Sequence, residues 1–211
     1  MKISTRHKQI IYGTLWGDGW LQKTGERNAR LRLEHSAKQS AYINWLYREL
    51  ITIFQRPPVA LTRKHPQSQR CYKYLRLQSH SSPLFGDLRR AFYDTQGKKI
   101  VPREAARYLP SALTLAIWYM DDGYYYHRDG SAHIYLPAYP QRDLERLIIT
   151  LREKFALTPN WYCRPDRRGC QLNFTGTAKD KLFSFIRPYI IREMTYKTPY
   201  DPVTTASENA L

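Results

Sequence analysis

Three carboxylates close two similar apolar stretches, and they are the residues of this chain best suited to chemistry. Asp121 and Asp122 follow the apolar run 115–120, and Asp18 follows a related run that starts at Ile11. Both stretches end in Asp-Gly, and Asp18 precedes Asp122 by 104 positions (122 − 18 = 104). As a helix, the run 115–120 would be apolar on every side and therefore buried. Two such copies predict two half-domains that each bring one acid to a shared centre.

Paired acids of this kind predict a cation site. Carboxylates at the carboxyl end of a helix face the negative end of its dipole, so they cost stability there. Two of them close together require a cation between them or a raised pKa. Mg²⁺ prefers oxygen ligands and binds substrate phosphate, and two such ions can activate water and stabilise the leaving oxygen of a phosphodiester. A helix stop followed by a turn is the simpler interpretation of one Asp-Gly, but the duplication favours the cation site.

Each half must supply the helix that ends in its acid, and the periodicity predicts the same order of elements twice. The first half reads as helix 10–17, strands 20–23 and 29–35, helix 37–54, strands 59–64 and 71–79, and a helix from 83 to about 93. The second reads as helix 111–121, strands 124–127 and 132–137, helix 141–155, strands 161–164 and 170–174, and helix 177–190. We therefore predict an α+β fold with two αββαββα halves, 1–93 and 110–199, a linker over 94–109 and a tail over 200–211.

The charge balance favours a polyanionic partner. The chain has 34 Lys and Arg against 18 Asp and Glu, a net charge of +16, and such a field attracts nucleic acid. No apolar run approaches the length of a membrane span, and the first residues do not resemble a leader, so neither a membrane partner nor export is expected. Cys71, Cys163 and Cys170 are odd in number and lack metal-ligand spacing, so we expect reduced thiols in an intracellular protein.

The strands predict a face for nucleic acid. Two antiparallel sheets with helices on one side leave the other side to solvent or ligand. Their outward positions mix residue types that reach base edges and phosphates, and a β-ribbon can enter the major groove. An ordinary solvated face is the competing interpretation, which the net charge of +16 makes weaker. The predicted outward residues are Arg30, Arg32, Glu34, Tyr72, Tyr74, Arg76, Gln78, Tyr135, Tyr162, Arg164, Gln171 and Asn173.

The two apolar stretches resemble the paired motifs of the LAGLIDADG homing endonucleases, in the monomeric branch that has two repeats. The second motif, Leu-Ala-Ile-Trp-Tyr-Met-Asp-Asp-Gly over 115–123, is particularly similar, and so is Met-Thr-Tyr-Lys-Thr-Pro over 194–199. The linker segment Lys-Lys-Ile-Val-Pro over 98–102 also has its counterpart in the family. The chain departs from the idealised motif at Trp16, and Ile117 stands where the first motif has Gly13. This difference predicts an asymmetric approach of the two motif helices.

The resemblance implies both a fold and a metal site. The fold would be a pseudo-symmetric antiparallel β saddle astride double-stranded DNA, and the reaction would be Mg²⁺-dependent cleavage of both strands across the minor groove. Asp18 and Asp122 match the metal ligands of the family, with two or more ions bound when DNA is present. The carbonyl groups of Gly17 and Asp121 are implied as further ligands.

Two lysines complete the implied active site. Lys99 and Lys197 match basic residues that polarise or order the hydrolytic water in the family. From the sequence alone, a solvated surface charge explains either lysine equally well. Their role is therefore an expectation that rests on the resemblance.

The resulting hypothesis is a monomeric, site-specific DNA endonuclease encoded by an intron. No protein-splicing segment flanks the motifs, so an intein origin is not expected. The protein would act inside the cell, in a mitochondrion or chloroplast if organelle-encoded, or otherwise in a prokaryotic cytoplasm. The alternatives are an RNA-binding maturase on the same fold, which assists splicing of intron RNA, and a non-catalytic DNA-binding regulator. The presence of both acids argues against the regulator, because binding alone has no use for them.

Overall fold

The chain folds into helices packed on antiparallel sheets. The structure, a computed structural model, describes residues 3–64, 67, 69–166 and 169–200. Its α-helices are α1 (Thr5–Trp16), α2 (Ser40–Glu49), α3 (Pro83–Phe92), α4 (Ala105–Tyr108), α5 (Ala112–Asp122), α6 (Gln141–Phe155) and α7 (Gly176–Ile186). Its strands are β1 (Trp20–Lys23), β2 (Ala29–Ser36), β3 (Val59–Lys64), β4 (Cys71–Gln78), β5 (Gly123–Tyr126), β6 (Ser131–Leu136), β7 (Asn160–Cys163) and β8 (Cys170–Phe174). Short 3₁₀ helices occupy Ala37–Gln39, Arg187–Tyr189 and Arg192–Lys197.

Two compact units divide the chain. One lies within Met1–His7 and Asp18–Ala91, and the other within Lys8–Gly17 and Phe92–Leu211. The first contains the sheet β1-β2-β4-β3 and the second the sheet β5-β6-β8-β7, and all neighbouring strands are antiparallel. The predicted α+β class with two four-stranded sheets is confirmed. The boundaries of the two predicted halves remain a prediction, and residues 201–211 of the predicted tail lie outside the described residues.

Alternating burial in β2 creates the core of the first unit. Leu31 and Leu33 face inward and are fully buried, and α2 packs on β2 and β4. This helix has 10 residues and is shorter than the predicted 37–54. Phe54 lies outside the helix and forms an isolated β-bridge with Ser79. The residues after Glu49 leave the helix, and apolar periodicity alone does not report the bridge between Phe54 and the distant Ser79.

The motif helix α5 forms the centre of the second unit. Every residue from 115 to 120 is fully buried, which confirms the prediction of a helix that is apolar on every side. The C-terminal part of α1 packs against α5, with the rings of Trp16 and Trp118 5.4 Å apart. A Cβ atom added at Gly13 would lie 2.5 Å from the Cβ atom of Ile117. A residue without a side chain thus meets a large one, in agreement with the asymmetry predicted from the two motifs.

A disulfide in the second sheet corrects the expectation of three reduced thiols. The register of β7 and β8 places Cys163 directly opposite Cys170, and a disulfide joins them. The pairing depends on the turn between the two strands, so the spacing in the sequence does not reveal it. Cys71 in the first unit is an exposed free cysteine. Among the described residues, no helix combines the length and the apolar character needed to cross a membrane.

The contact between α1 and α5 predicts the effect of a single methyl group. Gly13→Ala should lower the free energy of unfolding by about 1–3 kcal/mol, because the added atom overlaps a buried side chain that has no space to move. Gly25→Ala is the matched control, since a Cβ atom there would have only the Cβ of Asn28 at 4.0 Å. Chemical denaturation measures both variants. If Gly13→Ala were as stable as the wild type, the close contact of the two helices would be refuted.

Candidate functional site

The carboxyl end of α5 is neutralised by a buried lysine. The Lys197 ammonium group donates hydrogen bonds to the carbonyl oxygens of Met120 at 2.6 Å and Asp121 at 2.7 Å. The last turn of α5 contains no basic residue of its own, so Lys197 supplies the positive charge that the helix dipole favours there. The Tyr119 hydroxyl donates to the Lys197 carbonyl oxygen at 2.7 Å and anchors the backbone of the lysine. Only 8% of Lys197 is exposed, which excludes a solvated surface charge.

The carboxyl end of α1 has the same arrangement. The Lys99 ammonium group donates to the carbonyl oxygen of Gly17 at 2.5 Å, and α1 also lacks a basic residue in its last turn. The backbone around this lysine is positioned by a tight turn. The Asp94 carboxylate accepts from the backbone N–H groups of Gln96 at 2.9 Å and Lys98 at 2.8 Å. Both motif helices therefore end at carbonyl groups held by a lysine from outside the helix.

Asp121 occupies the space that a glycine leaves open. A Cβ atom added at Gly17 would lie 2.5 Å from Oδ2 of Asp121, so this carboxylate rests directly on the backbone of Gly17. The Asp121 side chain is buried. Within the second unit, the structure therefore brings together four of the predicted site residues, namely Gly17, Lys99, Asp121 and Lys197.

Asp122 lies at the end of α5, close to Tyr139, which was not predicted from the sequence as a site residue. Burial raises the pKa of the Tyr139 hydroxyl, and the negative charge of Asp122 raises it further. The phenol therefore stays protonated at neutral pH. Tyr139 follows β6 in a loop, where no pattern in the sequence marks it as a neighbour of the second motif.

Asp18 lies in the first unit, where it has a buried histidine as a neighbour. One carboxylate oxygen of Asp18 is 3.5 Å from Nδ1 of His35, whose side chain is 1% exposed. The ring of His35 packs edge-on against Tyr42 with a centroid distance of 5.0 Å. His35 is not among the residues predicted from the sequence, although the alternation that directs Leu31 and Leu33 inward also directs this residue inward.

The donors at the motif ends fit a divalent cation. They are carboxylate and carbonyl oxygens, which are the ligands that hard divalent ions prefer. The carbonyl oxygens of Gly17 and Asp121 already accept hydrogen bonds from ammonium groups, so both face positive charge in this structure. This chemistry suits Mg²⁺ and related ions, and no soft ligand such as a thiolate is needed.

The outward face of the first sheet is rich in arginine. The register places Trp20, Arg32 and Gln78 in one row across three strands. The Arg32 side chain donates to Gln78 Oε1 at 3.0 Å, and its guanidinium carbon is 5.5 Å from the centre of the Trp20 ring. In a neighbouring part of the sheet, Glu34 pairs with Arg76 at 2.8 Å and with Arg63 at 2.7 Å.

The outward face of the second sheet is aromatic and amidic. The hydroxyl groups of Tyr126 and Tyr135 are 2.5 Å apart, and the rings of Tyr124 and Tyr126 are in edge-on contact at 4.6 Å. Arg164 follows β7 and pairs with Asp166 at 3.0 Å. The strands β5 to β8 themselves contain neither Lys nor Arg.

Apart from Arg164, which follows β7, the residues predicted to face outward lie on the sides of the two sheets that are opposite the buried leucines. Their contact with DNA remains a prediction. The same parity identifies further outward residues that the sequence analysis did not select, and they are Trp20, Gln22, Arg63, Tyr124, Tyr126, His133 and Asn160.

The fold and the paired motif helices agree with one protein family. Residues 8–182 match the LAGLIDADG DNA endonuclease family, and this chain belongs to that family. The resemblance found in the motifs is thereby confirmed. The homing endonuclease I-WcaI, solved bound to its DNA recognition sequence, has the same fold with a TM-score of 0.82 and 24% sequence identity. That similarity covers 93% of this chain and 87% of the I-WcaI chain.

Relatives of known sequence cover the same region. Probable intron-encoded endonuclease 1 of Wickerhamomyces canadensis is 26% identical over 200 residues, which are 92% of this chain and 84% of the relative. Protein RecA of Mycolicibacterium chitae is 28% identical over 209 residues, which are 93% of this chain and 47% of the relative. The chain thus spans about half the length of the RecA relatives that it matches.

The buried lysine at the end of α5 predicts a loss of stability on its removal. Lys197→Met should lower the free energy of unfolding by about 1–3 kcal/mol, because two buried carbonyl groups lose their donor. Lys181→Met on α7 is the matched control, since Lys181 is exposed, and surface changes of this kind stay within about 0.5 kcal/mol. Thermal unfolding of the two variants and the wild type measures the difference. Equal stability of all three would contradict the buried hydrogen bonds described for Lys197.

Proposed function

We propose that this chain is a site-specific homing endonuclease that hydrolyses both strands of a long double-stranded DNA target. The observation that carries the proposal is the duplicated helix end, where Lys99 and Lys197 hold the final carbonyl groups of two motif helices that each lead into an aspartate. Membership of the LAGLIDADG DNA endonuclease family supports this reaction class. The DNA-bound state of I-WcaI supports duplex DNA as the substrate.

We propose Mg²⁺ as the cofactor, with two or more ions when DNA is bound. Asp18 and Asp122 would hold it through their carboxylates, and Gly17 and Asp121 through their backbone carbonyl groups. When bound, Mg²⁺ polarises phosphoryl oxygen and lowers the pKa of a coordinated water. The oxygen-only donor set at the ends of α1 and α5 supports this choice over a softer metal.

The two lysines would act on charge that develops during the reaction. Phosphodiester hydrolysis places negative charge on the phosphate oxygens, and fixed donors in a water-poor site stabilise it more than mobile solvent does. Lys197 is such a donor, because its ammonium group is already oriented by two carbonyl groups and needs no reorganisation. Lys99 is less buried but is held in the same way at Gly17. We therefore assign both lysines to the chemical step and expect a small contribution to affinity.

The outward sheet faces would bind the DNA, with phosphate contacts supported by the net charge of +16. We propose that the protein is monomeric, since one chain carries both motifs. An intron-encoded relative supports an intron origin and action inside the cell, in an organelle or a prokaryotic cytoplasm. The same basic residues would also accept intron RNA, and competition between RNA and the DNA target measures that alternative.

The paired acids give the sharpest test of this function. Asp18→Asn and Asp122→Asn each keep the size of the side chain and remove the charge that binds the metal. Each should slow double-strand cleavage by at least about a hundredfold, because loss of metal stabilisation costs several kcal/mol of barrier. Binding of duplex DNA should persist, since the acids repel the phosphates. Cleavage assays with and without Mg²⁺, together with gel-shift assays, measure both quantities.

The matched control for these variants is Asp180→Asn, which removes an exposed acid from α7. It should cut DNA at the wild-type rate. A variant at Asp18 or Asp122 that still cuts both strands at the wild-type rate would show that its acid only ends a helix.

A further inference from the structure

The two sheets present different chemistry on their outward faces. The first carries four arginines, namely Arg30, Arg32, Arg63 and Arg76. In the second sheet, strands β5 to β8 contain no Lys or Arg at all. Its outward positions carry tyrosines, a histidine and amide side chains, whereas the first sheet carries tyrosines and glutamines in addition to its arginines. The two halves share one backbone arrangement, so the difference lies in the side chains that a ligand would meet.

The contrast is sharpest in the row beside each motif. Trp20 and Tyr124 each stand two positions after the motif aspartate (20 − 18 = 2 and 124 − 122 = 2). Trp20 lies opposite Arg32, and Tyr124 lies opposite His133. The third member of the first row is Gln78, and that of the second row is Asn173.

These two rows differ in their hydrogen bonds. The Arg32 side chain donates through Nε to Gln78 Oε1, and this hydrogen bond orients the guanidinium group. In the second row, Nδ1 of His133 and Oδ1 of Asn173 are buried and have no hydrogen-bond partner among the described residues. The other ring nitrogen of His133 is 3.1 Å from the Ser131 hydroxyl. Buried polar atoms that lack partners cost stability until a ligand supplies them.

The residue types have known preferences for bases. Arginine binds the O6 and N7 acceptors of guanine through two parallel hydrogen bonds. Asparagine and glutamine bind N6 and N7 of adenine in the same way, and apolar surface contacts the thymine methyl group. Tyrosine offers such surface together with a hydroxyl group. Both faces carry tyrosines and amide side chains, so the arginines of the first face are the feature that makes the two faces complementary to different sequences.

We propose that the two sheets read half-sites of different base composition, the first sheet selecting guanine-containing base pairs and the second selecting A·T pairs. The inference rests on the proposed function, because it takes duplex DNA as the ligand. Arg32 and Asn173 are the specificity-determining residues of the rows beside the two motifs. Burial lowers the pKa of His133, which favours the neutral imidazole. A neutral imidazole can accept a hydrogen bond from a base, as selection of an A·T pair requires.

In vitro selection from a randomised duplex library tests the proposal with the wild-type chain in buffer without Mg²⁺. The expected product has two stretches, one rich in guanine-containing pairs and one rich in A·T pairs. Two enriched stretches of equal G·C content would overturn the inference and leave the endonuclease proposal intact. If no duplex were enriched at low salt, DNA binding would fail and both proposals would fall.

Matched variants then assign each stretch to its sheet. Arg32→Lys keeps the positive charge and removes the paired hydrogen bonds, so it should reduce preference for guanine at its position by about 5- to 100-fold. Asn173→Leu keeps the shape and removes the amide, so it should relax selection in the A·T-rich stretch alone by a similar factor. If Arg32→Lys retained full selectivity, the arginine would contact only phosphate and the proposal would be wrong.

If Asn173→Leu does not fold, a variant at a second residue provides the same test. Gln171 lies in the adjacent row with Tyr135 and Tyr162, and Gln171→Leu should also act only on the A·T-rich stretch. Circular dichroism before selection establishes which variants are folded. Relaxation of the guanine-containing stretch by a folded Gln171→Leu or Asn173→Leu variant would contradict the assignment of sheets to half-sites.

Discussion

The negative charge at the end of the buried helix α5 is the constraint on which the second unit depends. The helix dipole and two aspartates place negative charge at the same point, in a helix whose residues 115–120 have no exposed surface. An uncompensated charge in such surroundings is strongly destabilising. Lys197 compensates part of it from outside the helix, with an ammonium group that bonds to two backbone carbonyl groups. One ammonium group does not balance two carboxylates and the helix dipole, so the end of the helix still favours a further cation.

Two glycines, Gly13 in α1 and Gly17 directly after it, permit the contact that brings the helix ends together. Gly13 meets Ile117 and Gly17 meets Asp121, and residues four positions apart lie on one side of a helix. A side chain at either position would overlap atoms of α5, so the helices could not keep this distance. The close packing therefore explains why the first motif has glycines at the positions that face the larger side chains of Ile117 and Asp121 in the second motif. It also brings the carbonyl group held by Lys99 into the same unit as the one held by Lys197.

The sequence predicted the strands well because alternating burial is a local property. Leu31 and Leu33 alternate with arginines, and this pattern locates β2 and its outward residues without any knowledge of its neighbours. Features that depend on distant contacts were not predictable in the same way. Helix α2 ends at Glu49, whereas the apolar periodicity continues to Phe54, which forms a bridge with the distant Ser79. The disulfide depends on the register of β7 and β8.

In the candidate site, the residues within the motifs could be predicted from the sequence, whereas their neighbours from distant parts of the chain could not. The duplicated Asp-Gly and the resemblance to a family identified Asp18 and Asp122 as candidate metal ligands. The neighbours His35 and Tyr139 were missed, since each reaches its aspartate only through the folded chain. The lysines could be named from the resemblance, but their hydrogen bonds to helix carbonyl groups required the structure.

The proposed metal ligands can be tested by anomalous X-ray scattering from Mn²⁺ bound in place of Mg²⁺, in crystals of the protein with its selected DNA duplex. We expect manganese peaks within coordination distance of the Asp18 and Asp122 carboxylates, at the ends of α1 and α5. Peaks located only at other residues, or none at these two carboxylates at saturating Mn²⁺, would contradict it.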